Sequence, residues 1–199
     1  MGLLDQLFKP KRSSGAKKHV TGSEAPKPAA VPEGPAATQR DLSPDEIVYQ
    51  HFQAAMSEED AVKRRKEIEA ISNPYWLSRL VREGKYENDR IQALNQLSDQ
   101  NILLEIAADG SNLPRIQGLA QDKLDDVHRF RLIEKPYISE ADKCRAAAKI
   151  SDIKLLTEVL LRGGFGRTVN LTAARRLELI APDKAKNYED TINFLRRKF

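Results

Sequence analysis

The chain is poor in the residues that build cross-linked or metal-bound small folds. Its 199 residues include one cysteine, one tryptophan and only 6% aromatic residues. A single cysteine cannot form a disulfide framework or a cysteine-rich zinc site, and the three histidines are scattered along the sequence. No apolar run approaches the roughly 18 residues of a transmembrane helix. We therefore expect a cytoplasmic protein with no metal or other cofactor, and nothing in the sequence indicates a small-molecule substrate.

Proline and positive charge are concentrated in the first 40 residues. This segment holds five of the ten prolines and seven basic against three acidic residues, so residues 41–199 carry 26 of each sign. A segment of this composition buries too little apolar surface to offset the entropy of ordering it. The sequence therefore predicts a disordered basic tail over residues 1–40 and a folded domain over residues 41–199.

The start of the tail has a different pattern, a short amphipathic tip over residues 2–8. Four apolar residues share one face of a short helix, and basic residues follow them, which is the reverse of the order in a secretory signal. The apolar residues are Leu3, Leu4, Leu7 and Phe8, and the basic residues are Lys9, Lys11 and Arg12. The tip is interpreted as a docking peptide, either for an anionic membrane surface such as the inner membrane or for a groove on a partner protein. The alternative is an unstructured start that packs transiently on the protein's own body.

Helix boundaries mark the whole of residues 41–199, and no alternating strand pattern occurs there. Ser43 and Glu46 form a capping box with Pro44 at the first helical position, and Asn73 precedes Pro74 in the same way. Two more caps are predicted, one over Ser57–Asp60 and one over Ser139–Asp142. The domain is therefore predicted to be all-α.

An internal repeat indicates how these helices are arranged. Residues 90–106 overlay residues 143–159 at an offset of 53, and half of that offset, 26 or 27 residues, is visible at Ile71, Leu124 and Leu177. In the overlay Ala93 matches Ala146, and the run Leu-Ser-Asp at 97–99 matches Ile-Ser-Asp at 150–152. A fixed period in this range predicts a solenoid.

The repeated motif reads Arg/Lys-x-x-Ala-x-x-x-Leu/Ile-Ser-Asp-x-x-x-Leu-x-Glu-Ile/Val. It resembles short bacterial HEAT-like repeats over roughly residues 60–180. The resemblance implies an α-solenoid of helical hairpins that binds other proteins, with no chemistry of its own. A single repeat cannot bury its apolar face alone, so atypical capping helices are expected at both ends, over residues 43–56 and 184–197.

Candidate catalytic residues have simpler structural explanations. Cys144 aligns with Ile91, an apolar position, so a buried structural thiol is favoured over a nucleophile. The basic run over residues 63–66 is interpreted as a charged helix face, and His128 is placed on a solvated face. No enzymatic activity is predicted.

Tyr75 and Trp76 are the candidate partner-binding residues of the domain. They follow Asn73 and Pro74 in the first turn of a helix, and both residue types are enriched at binding hot spots. The alternative for Trp76 is a place in the core or between repeats.

The sequence predicts a non-enzymatic scaffold or adaptor, recruited to a membrane surface or a complex by the tip. The competing hypothesis is a nucleic-acid or ribosome-associated factor that uses the basic tail and the cluster Arg196, Arg197 and Lys198.

Overall fold

The computed structural model describes residues 42–162 and 164–197, and these residues form helices and short links without any β-strand. The described helices are α1 (Pro44–Ser57), α2 (Ala61–Ala70), α3 (Pro74–Glu83), α4 (Glu87–Gln96), α5 (Gln100–Ala108), α6 (Pro114–Lys123), α7 (Asp126–Glu134), α8 (Glu140–Lys149), α9 (Ile153–Leu161), α10 (Arg167–Ile180), α11 (Pro182–Ala185) and α12 (Glu189–Arg197), with a 3-10 turn at Lys186–Tyr188. The predicted tail, with its tip, lies outside the described residues.

The helices stack in two layers. Consecutive helices pack in pairs, α1 on α2, α3 on α4, α5 on α6, α7 on α8 and α9 on α10. Each odd-numbered helix from α1 to α7 also packs on the next odd-numbered one, and in the other layer α2 packs on α4, α4 on α6, α8 on α10 and α10 on α12. This is the arrangement of an α-solenoid, and it confirms the predicted all-α fold.

Most of the predicted helix starts are confirmed, and one is wrong. Ser43 forms the full capping box with Glu46, and the side chains of Asn73 and Ser139 each accept a backbone N–H of the helix that follows. The N-cap of α2 is Asp60 instead of Ser57, because the Asp60 carboxylate accepts two backbone N–H groups of α2. The hydroxyl of Ser57 instead donates to a carbonyl at the end of α1.

Small residues occupy the buried positions that the repeat predicts. Ala93 and Ala146 are both fully buried, as are Leu94 and Leu97. The contact between α8 and α10 brings together two helices whose buried residues are largely alanines, and short side chains allow two helix axes to approach closely.

Side chains one repeat apart also bind the carbonyl groups at the ends of even-numbered helices. Each donor lies immediately before one of the aliphatic residues that mark the repeat, Leu97, Leu124 or Leu177, and successive donors are 27 and 53 residues apart. These bonds run from Gln96 to the Ile68 carbonyl (3.0 Å), from Lys123 to the Leu94 and Asn95 carbonyls (3.1 and 2.6 Å) and from Arg176 to the Ile150 carbonyl (3.0 Å). Each bond joins a helix to the C-terminal end of the preceding helix in the same layer, so the bonds fix the register of successive repeats. Partial burial in this position lowers the pKa of Lys123.

Candidate protein-interaction surface

Four aromatic side chains meet where α1 packs on α3. Tyr49 and Phe52 are three residues apart on α1 and therefore share a face of that helix. Tyr75 and Trp76 lie in the first turn of α3. Asn73 fixes this turn, since its side-chain Oδ1 accepts the backbone N–H of Tyr75 at 2.9 Å. Packing α1 on α3 brings the two pairs together.

The indole of Trp76 is the centre of the cluster. Its ring centroid lies 5.0 Å from that of Tyr49, 4.8 Å from that of Phe52 and 4.9 Å from that of Tyr75. Phe52 is buried, and Trp76 is half-buried against the core. Tyr75 is 58% exposed and Tyr49 is 42% exposed. The rings of the two tyrosines are therefore open to solvent on one side and pack on the side chains of Trp76 and Phe52 on the other.

Arg79, one turn after Tyr75 and Trp76, borders this cluster. Its guanidinium carbon lies 5.3 Å from the Phe52 ring centroid and 5.6 Å from that of Trp76, which is within cation–π range. Two hydrogen bonds join Arg79 to Glu83, Nε to Oε1 at 3.0 Å and Nη2 to Oε2 at 2.6 Å. This pairing lowers the pKa of Glu83 and raises that of Arg79. We call Tyr49, Tyr75, Trp76 and Arg79 the aromatic surface.

The aromatic surface combines residue types that are common at protein interfaces. Tyr, Trp and Arg are the residues that most often dominate the energy of protein interfaces. The tyrosines combine a broad apolar ring with a polar hydroxyl, and the hydroxyl of Tyr49 already accepts a hydrogen bond from Gln53 at 2.6 Å.

The structure separates the other sequence candidates. The tip residues Leu3, Leu4, Leu7, Phe8, Lys9, Lys11 and Arg12 lie outside the described residues, as does Lys198 of the C-terminal basic cluster. Arg196 of that cluster is ion-paired with Glu178, through contacts of 2.8 and 2.9 Å. Cys144 is partly buried against the core. Within residues 42–162 and 164–197, no group of three His, Cys, Asp or Glu side chains is arranged to hold a metal ion.

The prediction for the basic run over residues 63–66 is wrong at Arg64. Its side chain is buried and donates from Nε to Asp89 Oδ2 at 2.6 Å and from Nη1 to the Glu59 carbonyl at 2.6 Å. The local sequence gives no sign of this role, because Arg64 stands among three other basic residues, Lys63, Arg65 and Lys66, that are exposed. The repeat provides a signal, since Arg64 lies 26 residues before Arg90, the first residue of the motif. Arg90 likewise donates to a carbonyl, that of Val81, at 2.5 Å.

The solvated face predicted for His128 is also not observed. Most of its side chain is buried, and its Nδ1 lies 2.7 Å from Asp125 Oδ1. Asp125 is the N-cap of α7 and also accepts the backbone N–H of His128 at 2.8 Å. These hydrogen bonds from His128 outweigh the effect of desolvation and lower the pKa of Asp125. The pair therefore forms the N-terminal cap of α7.

Searches against protein-family models, curated proteins and solved structures find no match to this chain. The resemblance to HEAT-like repeats therefore stays a prediction from the repeated motif. Within the part of the chain that the structure describes, none of the helices is long and apolar enough to cross a membrane.

Proposed function

We propose that the protein is a non-enzymatic scaffold or adaptor whose solenoid binds another protein through the aromatic surface. The observation that supports this proposal is the exposure of Tyr49 and Tyr75 on the packed base of Trp76 and Phe52. An isolated exposed aromatic residue is ordinary on a soluble protein. Two exposed tyrosines beside a half-buried tryptophan and an arginine match the composition of an interface hot spot.

The rigidity of the aromatic surface also favours binding. Arg79 is held by Glu83, and Trp76 is held by three neighbouring rings. Side chains that are already fixed lose little conformational entropy when a partner covers them. Covering apolar area contributes about 25 cal/mol per Å², so burial of the two tyrosine rings by a partner would contribute substantially to affinity.

The tip supplies the second element of the proposal. Leu3, Leu4, Leu7 and Phe8 would dock into a groove on a membrane-associated complex or insert into the surface of an anionic membrane, and Lys9, Lys11 and Arg12 would strengthen the second mode. In both modes the tip concentrates the solenoid near its partner, which raises the effective concentration for binding at the aromatic surface.

Partner capture with and without nuclease tests the proposed function against the nucleic-acid hypothesis. Full-length protein should retain a specific protein partner from a nuclease-treated lysate, because contacts to protein do not require RNA or DNA. Loss of every captured protein after nuclease treatment would contradict the proposal. A steep fall in the affinity for purified RNA or DNA with rising salt, caused by release of counterions, would support the competing hypothesis. A chain lacking residues 1–40 serves as the matched control for the contribution of the tail.

A further inference from the structure

The two layers of the solenoid end differently. In the even-numbered layer α10 is followed by α12, a helix of nine residues that packs on it. In the odd-numbered layer no helix of similar length follows α9 among the described residues. The chain instead continues as α11, which has four residues and packs on α10, and as the 3-10 turn at Lys186–Tyr188. The face of α9 that points along the solenoid therefore lacks a full helical neighbour among the described residues.

The repeat identifies the residues of this face. At the offset of 53, Leu104 and Ala108 of α5 correspond to Thr157 and Leu161 of α9, and Gln100 corresponds to Ile153. In α5, which packs on α7 of the next repeat, Leu104 is 8% exposed and Ala108 is 9% exposed. Gln100 donates to the Lys123 carbonyl and accepts the backbone N–H of Asp125. The corresponding apolar residues of α9 are open, Ile153 at 39% and Leu161 at 54% exposure.

These residues line a groove with a cavity volume of about 760 Å³. One wall is α9, with Ile153, Thr157 and Leu161, and the other is formed by Lys184 of α11 and Tyr188 of the 3-10 turn. We call this the α9 groove. It has an apolar floor and lies where the next helix of the odd-numbered layer would pack.

The charged residues of the α9 groove indicate the character of its occupant. Glu158 is paired with Arg162 at 3.1 Å, and Arg162 also reaches Glu134. Lys154 and Lys184 form no ion pair with the described residues, so the groove carries two uncompensated positive charges at its rim. Carboxylates on an occupant would complement both.

We propose that the α9 groove binds an amphipathic helix of a partner protein, which continues the odd-numbered layer with its apolar face on Ile153 and Leu161 and its acidic residues beside Lys154 and Lys184. This inference rests on the proposed protein-binding function and adds the class of partner element. It uses the helix-in-groove mode of recognition. The groove and the aromatic surface involve different helices, α9 and α11 against α1 and α3.

A displayed library of helical peptides of about 15 residues tests the proposal directly. Leucines would be fixed on one face, and the flanking positions would be randomised between Glu and Lys, with the full-length protein as bait. We expect clones with acidic flanks to be enriched. Leu161→Asp should weaken their binding by about tenfold or more, since it removes the burial of one large apolar side chain. Leu179→Asp, at an exposed leucine of α10, is the matched control and should leave the affinity within about twofold.

Charge reversal provides a second test that does not depend on the apolar floor. The double variant Lys154→Glu/Lys184→Glu should lose the acidic clones and select clones with basic flanks, whereas Tyr49→Ser/Tyr75→Ser should leave the selection unchanged. Enrichment of basic clones by the wild type, or binding indifferent to all three groove substitutions, would overturn the proposal. A concentration-dependent dimer that Leu161→Asp dissociates in sedimentation velocity would also overturn it, because the occupant would then be a second copy of the chain.

The two proposals can fail separately. If the peptide selection fails while the tyrosine variant still loses a captured partner, the α9 groove is wrong and the proposed function stands. If acidic helices bind the groove but capture of every cellular protein is independent of the aromatic surface, the proposal that the aromatic surface is the binding site is wrong. The proposal for the α9 groove is then still supported.

Discussion

Arg64 donates from Nε to Asp89 Oδ2 at 2.6 Å, and this bond joins α2 to α4 inside the solenoid. Both residues are buried. The same guanidinium also binds the Glu59 carbonyl at the link between α1 and α2, and it lies 3.9 Å from the ring centroid of Tyr86. A single arginine side chain therefore connects the link between α1 and α2, the helix α2 and the start of α4.

Removing one partner of this pair should cost far more stability than removing an exposed pair. Asp89→Ala leaves the buried guanidinium without its counter-charge, so we expect a loss of about 3–5 kcal/mol in the free energy of unfolding. Glu87→Ala is the matched control on the same helix, because its pair with Arg115 is exposed and should contribute about 1 kcal/mol or less. Urea denaturation of both variants measures the difference, and equal losses would show that the Arg64–Asp89 pair is not structurally important.

Enlarging the buried alanines should strain the repeat. Ala93→Leu and Ala146→Leu should each destabilise the domain by about 1–3 kcal/mol, because extra methyl groups have no space in a tightly packed core. Ala148→Leu, at an exposed position of α8, is the control and should change stability little. Gln96 is unsuitable as a control despite its exposure, since its Nε2 donates to the Ile68 carbonyl. Thermal melts that leave the buried variants unchanged would contradict the register of the repeat.

The N-cap of α2 should make stability depend on pH. Backbone N–H groups of Lys63 and Val62 hold the pKa of Asp60 below its ordinary value. The unfolded chain therefore takes up a proton on this carboxylate at higher pH than the folded chain does. The stabilisation is complete above the ordinary aspartate pKa of about 3.9 and is lost as the pH falls through the lowered value.

Asp60→Asn isolates this effect, because asparagine can still cap a helix but does not titrate. The wild type should be the more stable of the two at about pH 7, and the difference should shrink as the pH is lowered to about 3. Urea midpoints at several pH values provide the measurement. A difference that stays constant over this range would show that the ionised Asp60 carboxylate does not stabilise α2.

The sequence predicts structural features that depend on residues close together in the chain, and it does not predict those that depend on residues far apart. Local signals at Ser43, Asn73 and Ser139 identify helix starts correctly, since the cap and the capped N–H groups are neighbours in the chain. The pairing of Arg64 with Asp89 spans 25 residues, so no local pattern reveals it. Tyr75 and Trp76 can be named as candidates from the sequence, but their meeting with Tyr49 depends on the packing of α1 on α3.

The C-terminal cap shows a second limit. The sequence predicts one capping helix over residues 184–197, whereas the structure has α11, a 3-10 turn and α12. A short 3-10 turn is a common connector between α-helical segments, and the helical pattern of the sequence does not mark where such a turn interrupts it. Tyr188 of the 3-10 turn lines the α9 groove together with residues of α9, and this tertiary contact is not visible in any local sequence pattern.

The tip should attach reversibly to anionic membranes if its partner is a lipid surface. Four buried apolar side chains contribute several kcal/mol, and each nearby basic residue adds about 1 kcal/mol at an anionic surface. Full-length protein should sediment with anionic liposomes at low salt, and both Leu4→Asp/Phe8→Asp and charge reversal of Lys9, Lys11 and Arg12 should abolish this. Liposomes of neutral lipid are the control. If anionic liposomes never bind while Leu4→Asp abolishes capture of a protein partner, the membrane mode is wrong and docking in a protein groove is supported.

Quantitative partner capture measures whether the proposed binding of a protein depends on the aromatic surface. Wild-type protein, Tyr49→Ser/Tyr75→Ser and the control Tyr137→Ser, which removes an exposed tyrosine far along the chain from α1 and α3, would each be used as bait in nuclease-treated lysate. Matched thermal melts would establish that all three are folded. We expect the double variant to capture at least about tenfold less of the partner than the wild type, and Tyr137→Ser to capture as much as the wild type. Equal capture by all three proteins would contradict the account.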